Sequence, residues 1–357
     1  MSKIAVTRVG KPGVLPDEDK LGFGHIFSDH MFVMDYATGK GWYNPQIVPY
    51  EQFPIFPSSM VLHYGQAIFE GMKAFRTVDN RIVVFRPDEY LNRFNRSADI
   101  LCIPRTDVAQ IKDALFQLIE LEKGWVPGKL GTSLYIRPFI IANDPYVGVK
   151  SSDTYKLMII LSPSGAYYAS GFEPVSIKVE DKYVRAGVGG LGEAKTPANY
   201  AASLRAQEEA HKEGFTQVLW LDAVERKYIE EVGTMNIFFK INGEIITPAL
   251  DGSILGGITR KTVLELSRSW GLKTSERHIS IDEVYAAHEK GQLEEVFGSG
   301  TAAVISPVGE LSWKGKKIVI NNNKTGPYSQ KLFDYITDLQ YGKSEDKLGW
   351  LGEVTKV

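Results

Sequence analysis

Cysteine is almost missing from this 357-residue chain, which holds one, Cys102, beside 34 glycines and 17 prolines. A single thiol excludes an internal disulfide and the stapled folds of oxidising compartments. Cys102 lies in an apolar helical pattern, so an inert buried thiol in a reducing compartment is expected. Long apolar runs are also missing: the strongest, Leu157 to Leu161, is far too short to span a bilayer. The opening MSKIAVTRVGKPG lacks an apolar core of signal-peptide length, so a soluble cytoplasmic protein is expected. Neither sign of charge dominates, with 41 basic and 43 acidic side chains, a net charge of -2 and no block of like charge. This argues against an extended nucleic-acid or anionic-membrane surface and for a small ligand. The histidines His25, His30, His63, His211, His278 and His288 are scattered, with no H-E-x-x-H and no cysteine cluster, so no metal site is expected.

What is present is globular material: 43% of residues are hydrophobic and 24% charged, which excludes a disordered chain and at this length leaves room for two domains. HMFVMDY and GWYNPQIVPY alternate as strands do, and MKAFRT and RIVVF form a hairpin pair around Asp79-Asn80. Pro87 opens a helix as its N1 residue. A second helix is expected from about Asp107 to Gly124, with Ile111, Leu115, Leu118 and Leu121 on one face. SLYIRPFIIA and KLMIILSP read as strands, and SPSGAYYASGFEP, residues 162–174, is a linker by its Ser, Gly and Pro content. The expected division is an N-terminal domain over 1–165, a linker over 166–175 and a C-terminal domain over 176–357. The C-terminal part reads as strand VSIKVED, a glycine stretch, a helix from Pro197 to about His211, and strands QVLWLD and TMNIFFKI. Helices ending on Gly271 and Gly291, strands around GSGTAAV and a last helix GPYSQKLFDYITDLQYG follow. Without strict β-α alternation and without repeats, the class is α+β.

The stretch GVGGLGEAKTPANY, residues 187–200, admits three readings. Gly187 to Gly192 spell the G-x-G-x-x-G dinucleotide fingerprint, but that turn needs its helix to begin at the glycines. Here Glu193, Ala194, Lys195 and Thr196 intervene, with Thr196 as cap and Pro197 as N1. A P-loop needs lysine directly after its last glycine, and two residues separate Gly192 from Lys195. In the third reading Lys195 does the chemistry, since the positive end of a helix disfavours an ammonium ion and favours a neutral, nucleophilic amine. Taken alone, Lys195 reads equally as a solvated lysine at a helix start.

A Schiff-base lysine serving pyridoxal phosphate needs a carboxylate for the ring nitrogen, anion donors for the phosphate and a hydrogen bond for the ring oxygen. YIEEVGTMN offers Glu230 and Glu231 at a strand end, where alternate residues face opposite sides and only one points inward. Gly256-Gly257-Ile258-Thr259 opens a helix, and Gly298 to Thr301 is expected to be a glycine turn with free N–H groups. Tyr200, in the first helical turn after Lys195, could reach the ring oxygen.

With these segments the chain resembles the branched-chain amino-acid aminotransferases, pyridoxal-phosphate enzymes of class IV and fold type IV. The resemblance runs through FGHIFSDHM, SSMVLHYGQAIFEGMKAF, FRPDEYLNRF, LYIRPFIIA, AKTPANYAASL, EEVGTMNIFF, ILGGITRKT, FGSGTAAV and TDLQYG. It implies a smaller N-terminal α/β domain, a larger C-terminal domain with a barrel-like β core, and the cofactor between them. It makes Lys195 the catalytic lysine, carrying pyridoxal 5'-phosphate as a covalent aldimine, Glu231 the partner of the ring nitrogen and Tyr200 that of the ring oxygen. Arg93 matches the phosphate arginine, with Ile258, Thr259 and Thr301 helping, and Arg185 and Thr234 line the cofactor site. The substrate pocket matches Phe23, Tyr64, Phe69, Tyr135, Tyr167, Thr234, Thr301 and Ala302, with Val147 and Val149 reaching in from the second subunit of a homodimer. Arg137 has two readings, a contact for a substrate carboxylate or a structural ion pair.

The resemblance implies transfer of the amino group of L-leucine, L-isoleucine or L-valine to 2-oxoglutarate, in branched-chain amino-acid biosynthesis or degradation. Two alternatives stand beside it: another fold type IV enzyme (D-amino-acid aminotransferase, amine transaminase or aminodeoxychorismate lyase), and a nucleotide-binding module using Gly187 to Gly192. Ala303 to Ser306 stand where some members carry C-x-x-C, so no thiol switch is expected there.

Overall fold

A computed structural model describes residues 4–165 and 172–357. In chain order the first elements are β1 (Ala5–Val6), β2 (His30–Ala37), β3 (Gly41–Pro49), α1 (Met60–Tyr64), β4 (Ala67–Phe69), β5 (Met72–Arg76) and β6 (Arg81–Phe85). Then come α2 (Pro87–Ile100), α3 (Val108–Leu121), β7 (Ser133–Ala142), β8 (Thr154–Ser164), β9 (Val175–Glu180), α4 (Pro197–Lys212), β10 (Gln217–Leu221) and β11 (Ile229–Val232). The chain continues with β12 (Met235–Ile241), β13 (Glu244–Thr247), α5 (Ile258–Ser269), β14 (Thr274–Glu276), α6 (Ile281–Glu289) and β15 (Leu293–Gly300). It ends with β16 (Val304–Trp313), β17 (Lys316–Val319), α7 (Pro327–Gln340) and β18 (Leu351–Lys356).

These elements form two compact units. The first comprises residues 1–167, 194–197 and 337–357, the second residues 168–193 and 198–336. The first unit is built on a sheet ordered β1-β3-β2-β8-β7-β5-β6-β18, with β4 added to β7. Its predicted hairpin is present, Ala74 opposite Val84. Pro87 is the N1 residue of α2, followed by Asp88 and Glu89 in the first turn, where carboxylates meet the positive helix end. Asp107 caps α3, its Oδ1 accepting the Gln110 N–H at 3.0 Å. Ile111, Leu115 and Leu118 are fully buried, which gives the helix the inner face its spacing predicts.

Several expectations needed correction. The second helix stops at Leu121, and a 3-10 turn over Lys123–Trp125 replaces its expected last residues. Cys102 is exposed, not buried: α2 ends at Ile100 and Cys102 takes a left-handed φ of 53° in the turn that follows. Residues 162–164, read as linker, are the end of β8, and residues 166–171 lie outside the described residues. The terminal strand β18 was not foreseen. It pairs antiparallel with β6, Gly352 opposite Val84, and brings the C-terminus into the first unit. Its half-exposed side chains show no burial alternation, so periodicity carries no signal there.

The second unit contains a closed six-strand barrel. The order β11-β10-β9-β16-β15-β12 returns to its start through the pairing of β11 with β12. Closure leaves these strands no open edge, and β13, β14 and β17 extend the sheet outward from it. Ile177, Leu219, Val232, Ile237, Phe239 and Leu311 form part of the core. Helix α4 packs Ala206 and Ala210 against Val218 and Trp220. The α+β class stands. Among the described residues no helix is long and apolar enough to cross a membrane.

Candidate active site

In the first unit the backbone of Lys195 is held from both sides. Its N–H donates to Ser97 Oγ at 2.9 Å, and its carbonyl accepts the Phe69 N–H at 3.0 Å. Thr196 Oγ1 donates to the Ala67 carbonyl at 2.8 Å. An extended segment is thus stitched to β4 and α2, and its amine is aimed by backbone bonds that do not involve the amine. Lys195 Nζ lies 4.9 Å from the centroid of the Phe69 ring, within cation–π range. Arg137 crosses the same ring with its guanidinium carbon 4.7 Å from the centroid, and its Nη2 donates to Tyr135 Oη at 3.0 Å. Among the described residues Arg137 has no carboxylate partner, so the structural ion pair expected as one reading is not found there. Phe23 meets Tyr135 edge to face at 4.9 Å.

Arg93 projects from α2 into a buried bidentate pair. Its Nε and Nη2 donate to Glu70 Oε1 and Oε2 at 2.7 and 2.8 Å, with Arg93 5% and Glu70 0% exposed. Sequence reasoning missed Glu70, although it stands in the quoted FEGMKAF, and it missed Lys73 in the same block. Lys73 lies opposite Tyr135 in the β5–β7 register, and desolvation lowers its amine to about 8. Tyr64, Val147 and Val149 are exposed. Within the chain the Tyr64 hydroxyl donates to the Val147 carbonyl. Tyr167 lies outside the described residues.

In the second unit β11 separates its two glutamates. Glu231 Oε1 accepts the Leu255 N–H at 3.1 Å and Asn236 Nδ2 at 3.2 Å, and its Oε2 is 3.1 Å from Arg185 Nε. Arg185 also donates to the Ser253 carbonyl. Glu231 and Arg185 are 4% and 9% exposed, so this carboxylate is fixed and faces a buried cation. Helix α5 opens at Gly257, the N-cap, with no side-chain cap, and Ile258 and Thr259 follow as its first residues. A Cβ on Gly257 would lie 2.0 Å from Asn236 Oδ1, so only glycine lets the helix start so close to the residue that holds Glu231. Tyr200 stands in the first turn of α4, half-buried, and Thr234 is exposed in the turn between β11 and β12.

Two more expectations change here. Gly298 to Gly300 do not form a free glycine turn: they are the end of β15, Gly298 opposite Ser306 and Ile237. The turn is residues 301–303, with Thr301 and Ala302 half-buried in it. The fingerprint glycines form turns over residues 188–193, and the helix starts only at Pro197. A Cβ on Gly192 would lie 2.0 Å from the Ser253 carbonyl oxygen. Gly192 is thus a close-approach residue packed on the strand of backbone that Arg185 grips, and no helix N-terminus stands at the glycines for a nucleotide.

The two glutamates do face opposite sides of β11, but both are buried and not only one, because the strand is covered on both faces: Glu230 is 6% exposed and accepts Ser253 Oγ at 2.5 Å. Desolvation by burial pushes its carboxyl up to about 7, against a smaller opposing effect of the Ser253 hydrogen bond. A raised carboxyl favours folding below its unfolded value, and that contribution is lost as pH rises through about 7. Stability should fall by up to roughly 3 kcal/mol from about pH 5 to about pH 8.5. Glu230→Gln should flatten the profile. Denaturant titrations across that range test this, and equal slopes for both proteins would contradict it.

Residues 67–311 match the family model described as Amino-transferase class IV. The chain is 56% identical over 355 residues to the branched-chain-amino-acid aminotransferase 2 of Bacillus subtilis (strain 168), covering 99% of this chain and 97% of that one. A crystal structure of the Escherichia coli branched-chain amino acid aminotransferase superposes with a TM-score of 0.76 at 28% identity, over 92% of this chain and 99% of that one. A T.th. branched-chain amino acid aminotransferase complexed with N-(5'-phosphopyridoxyl)-L-glutamate gives a TM-score of 0.72 at 26% identity, over 90% and 98%. This likeness runs along nearly the whole chain, and the matched residues 67–311 take in the pinned lysine, the arginine-held glutamate, the open helix start and all of the barrel but the last two residues of β16. The chain belongs to the class IV aminotransferases, among their branched-chain amino-acid members.

Proposed function

We propose that the protein transfers the amino group of L-leucine, L-isoleucine or L-valine to 2-oxoglutarate, giving the 2-oxo acid and L-glutamate. The observation that carries the reading is Lys195, its backbone bonded on both sides and its amine set against the Phe69 ring.

The residues present fit pyridoxal phosphate. Glu231, faced by Arg185, is a fixed acceptor for a protonated ring nitrogen. The uncapped start of α5 offers the Ile258 and Thr259 N–H groups to a phosphate. We assign Lys195 as the covalent attachment point, Glu231 as the partner of the ring nitrogen, Tyr200 as that of the ring oxygen, and Arg93, Ile258, Thr259 and Thr301 as the phosphate residues. When bound, this cofactor supplies the carbonyl that takes up the amino group and the electron sink that makes the substrate Cα–H acidic.

The chain's own part is proton handling and orientation. Once released by the incoming amino group, Lys195 Nζ takes the proton from substrate Cα and holds it. Glu231 keeps its partner nitrogen protonated. Phe23, Phe69 and Tyr135 give an aromatic wall to branched aliphatic side chains, while Arg137, free of a carboxylate among the described residues, is the group for the distal carboxylate of 2-oxoglutarate. We also assign the chain to the cytoplasm and to a homodimer, with Val147 and Val149 completing the second subunit's pocket.

The purified protein is expected to be yellow and to bleach with borohydride, with the phosphopyridoxyl label on the Lys195 peptide. Leucine, valine, D-alanine and an aryl amine, each assayed with 2-oxoglutarate, should give turnover with the first two. A preference for D-alanine or the aryl amine would reject the substrate assignment. A colourless protein that takes up no pyridoxal phosphate would reject the cofactor.

A further inference from the structure

The second unit holds a cavity of about 480 Å³ that amino transfer does not use. Val188, Ile229, Pro248 and Ile254 give it apolar walls, and Asp222, Glu225, Glu230 and Asp251 give it four carboxylates. Asp222 is committed to the fold: its Oδ2 accepts the N–H groups of Val224 and Glu225, and its Oδ1 those of Lys227 and Tyr228. Glu230 is different. It is 6% exposed, and while its Oε1 accepts Ser253 Oγ, its Oε2 is buried with no hydrogen-bond partner among the described residues. A buried carboxylate oxygen left without a donor is costly, and such groups mark places where a donor arrives from outside.

The other charges around the cavity do not supply that donor. Arg185 is held by Glu231 and the Ser253 carbonyl. His278 Nε2 stands 3.6 Å from Asp251 Oδ2, and Arg277 pairs with Glu283. Lys227 Nζ lies over the Tyr228 ring, 5.3 Å from its centroid. An anion would meet four carboxylates here. Among the described residues no group of His, Cys, Asp and Glu has the arrangement to hold a metal ion. What remains is a positive group with N–H donors on a hydrocarbon body.

We propose that this cavity binds a small organic cation, an alkylguanidinium or alkylammonium ion, with Glu230 as counter-ion, its unpartnered Oε2 turning out of the wall to meet the cation, and the alkyl part against Val188, Ile229 and Ile254. Glu230 and Glu231 are adjacent in β11 and face opposite ways, so the site is separate from the carboxylate assigned to the cofactor. Burial raises the Glu230 carboxyl to about 7, so the cation should displace its proton. Arg185, Glu231 and Asp251 are the charged groups nearest that carboxyl, and Asp222, Glu225, Tyr228 and His278 line the rest of the cavity.

Isothermal titration of the holoenzyme with n-butylguanidinium chloride tests this near neutral pH, in two buffers of different ionisation enthalpy. This probe has no free amine to react with the cofactor, and binding is read without turnover, so the result is independent of the aminotransfer assignment. One site with proton release is expected. Glu230→Gln should weaken binding at least about 10-fold and remove the proton release. Ala223→Trp, on the half-buried wall of the cavity, should abolish binding without altering Glu230, and decides the matter if Glu230→Gln does not fold. Tetramethylammonium, which has no N–H, should bind at least about 10-fold more weakly. Absence of binding to the wild type, unchanged affinity in either variant, or equal affinity for tetramethylammonium would each overturn the proposal.

Discussion

Lys195→Ala should lower kcat/KM for leucine with 2-oxoglutarate by roughly 10⁴-fold, since it removes both the attachment point and the base that takes the Cα proton. The fold should survive. The bonds that hold this segment run from the Lys195 N–H to Ser97 Oγ and from the Phe69 N–H to the Lys195 carbonyl, and alanine keeps them both. The thermal midpoint should therefore change little while turnover disappears. Added methylamine should restore part of the rate by standing in as the base, a rescue that a merely unfolded variant would not show. Single-turnover measurements read the loss directly, and a variant within about 10-fold of wild type would remove Lys195 from the chemistry.

Glu70→Ala carries the largest effect expected on stability. Arg93 and Glu70 are both buried and joined by two short bonds, at 2.7 and 2.8 Å. Truncating the acid leaves a guanidinium in low dielectric without its bidentate partner, at a cost of about 3–5 kcal/mol. Glu70 Oε2 also accepts the Gly71 N–H at 3.0 Å, and that bond is lost as well. The thermal midpoint should fall by roughly 8–15 °C for a domain of this size. Glu70→Gln keeps the shape and one acceptor and should lose less. Denaturant titration of both variants checks the order, and a loss below about 0.5 kcal/mol for the alanine variant would show the pair to be energetically idle.

Local chemistry made much of this protein legible in the sequence. Pro87 marked a helix start because its ring suits the first helical position, and the hairpin around Asp79-Asn80 was written in alternation and turn residues. The late helix start at Pro197 separated Lys195 from any nucleotide turn. Signals of this kind span a few residues. The GSG block misled for the same reason: glycines read locally as a turn, yet the strands on either side of Gly298 take up its backbone and draw it into β15. Cys102 misled because the apolar pattern runs past the residue at which the helix stops.

By itself, then, the sequence determined the class, many of the helices and strands, a lysine set just before a late helix start, and that two adjacent glutamates face opposite sides of a strand, because pleat, helix period and capping are properties of short segments. Only the tertiary structure decided which partners those residues have. Ser97 reaches Lys195 across 98 positions, Glu70 reaches Arg93 across 23, and Leu255 reaches Glu231 across 24. Such pairings are set by which strands and helices pack together, and a buried charge is satisfied by whatever group the packing brings to it. The same packing left Glu230 Oε2 without a donor, a fact about its surroundings that no stretch of residues announces.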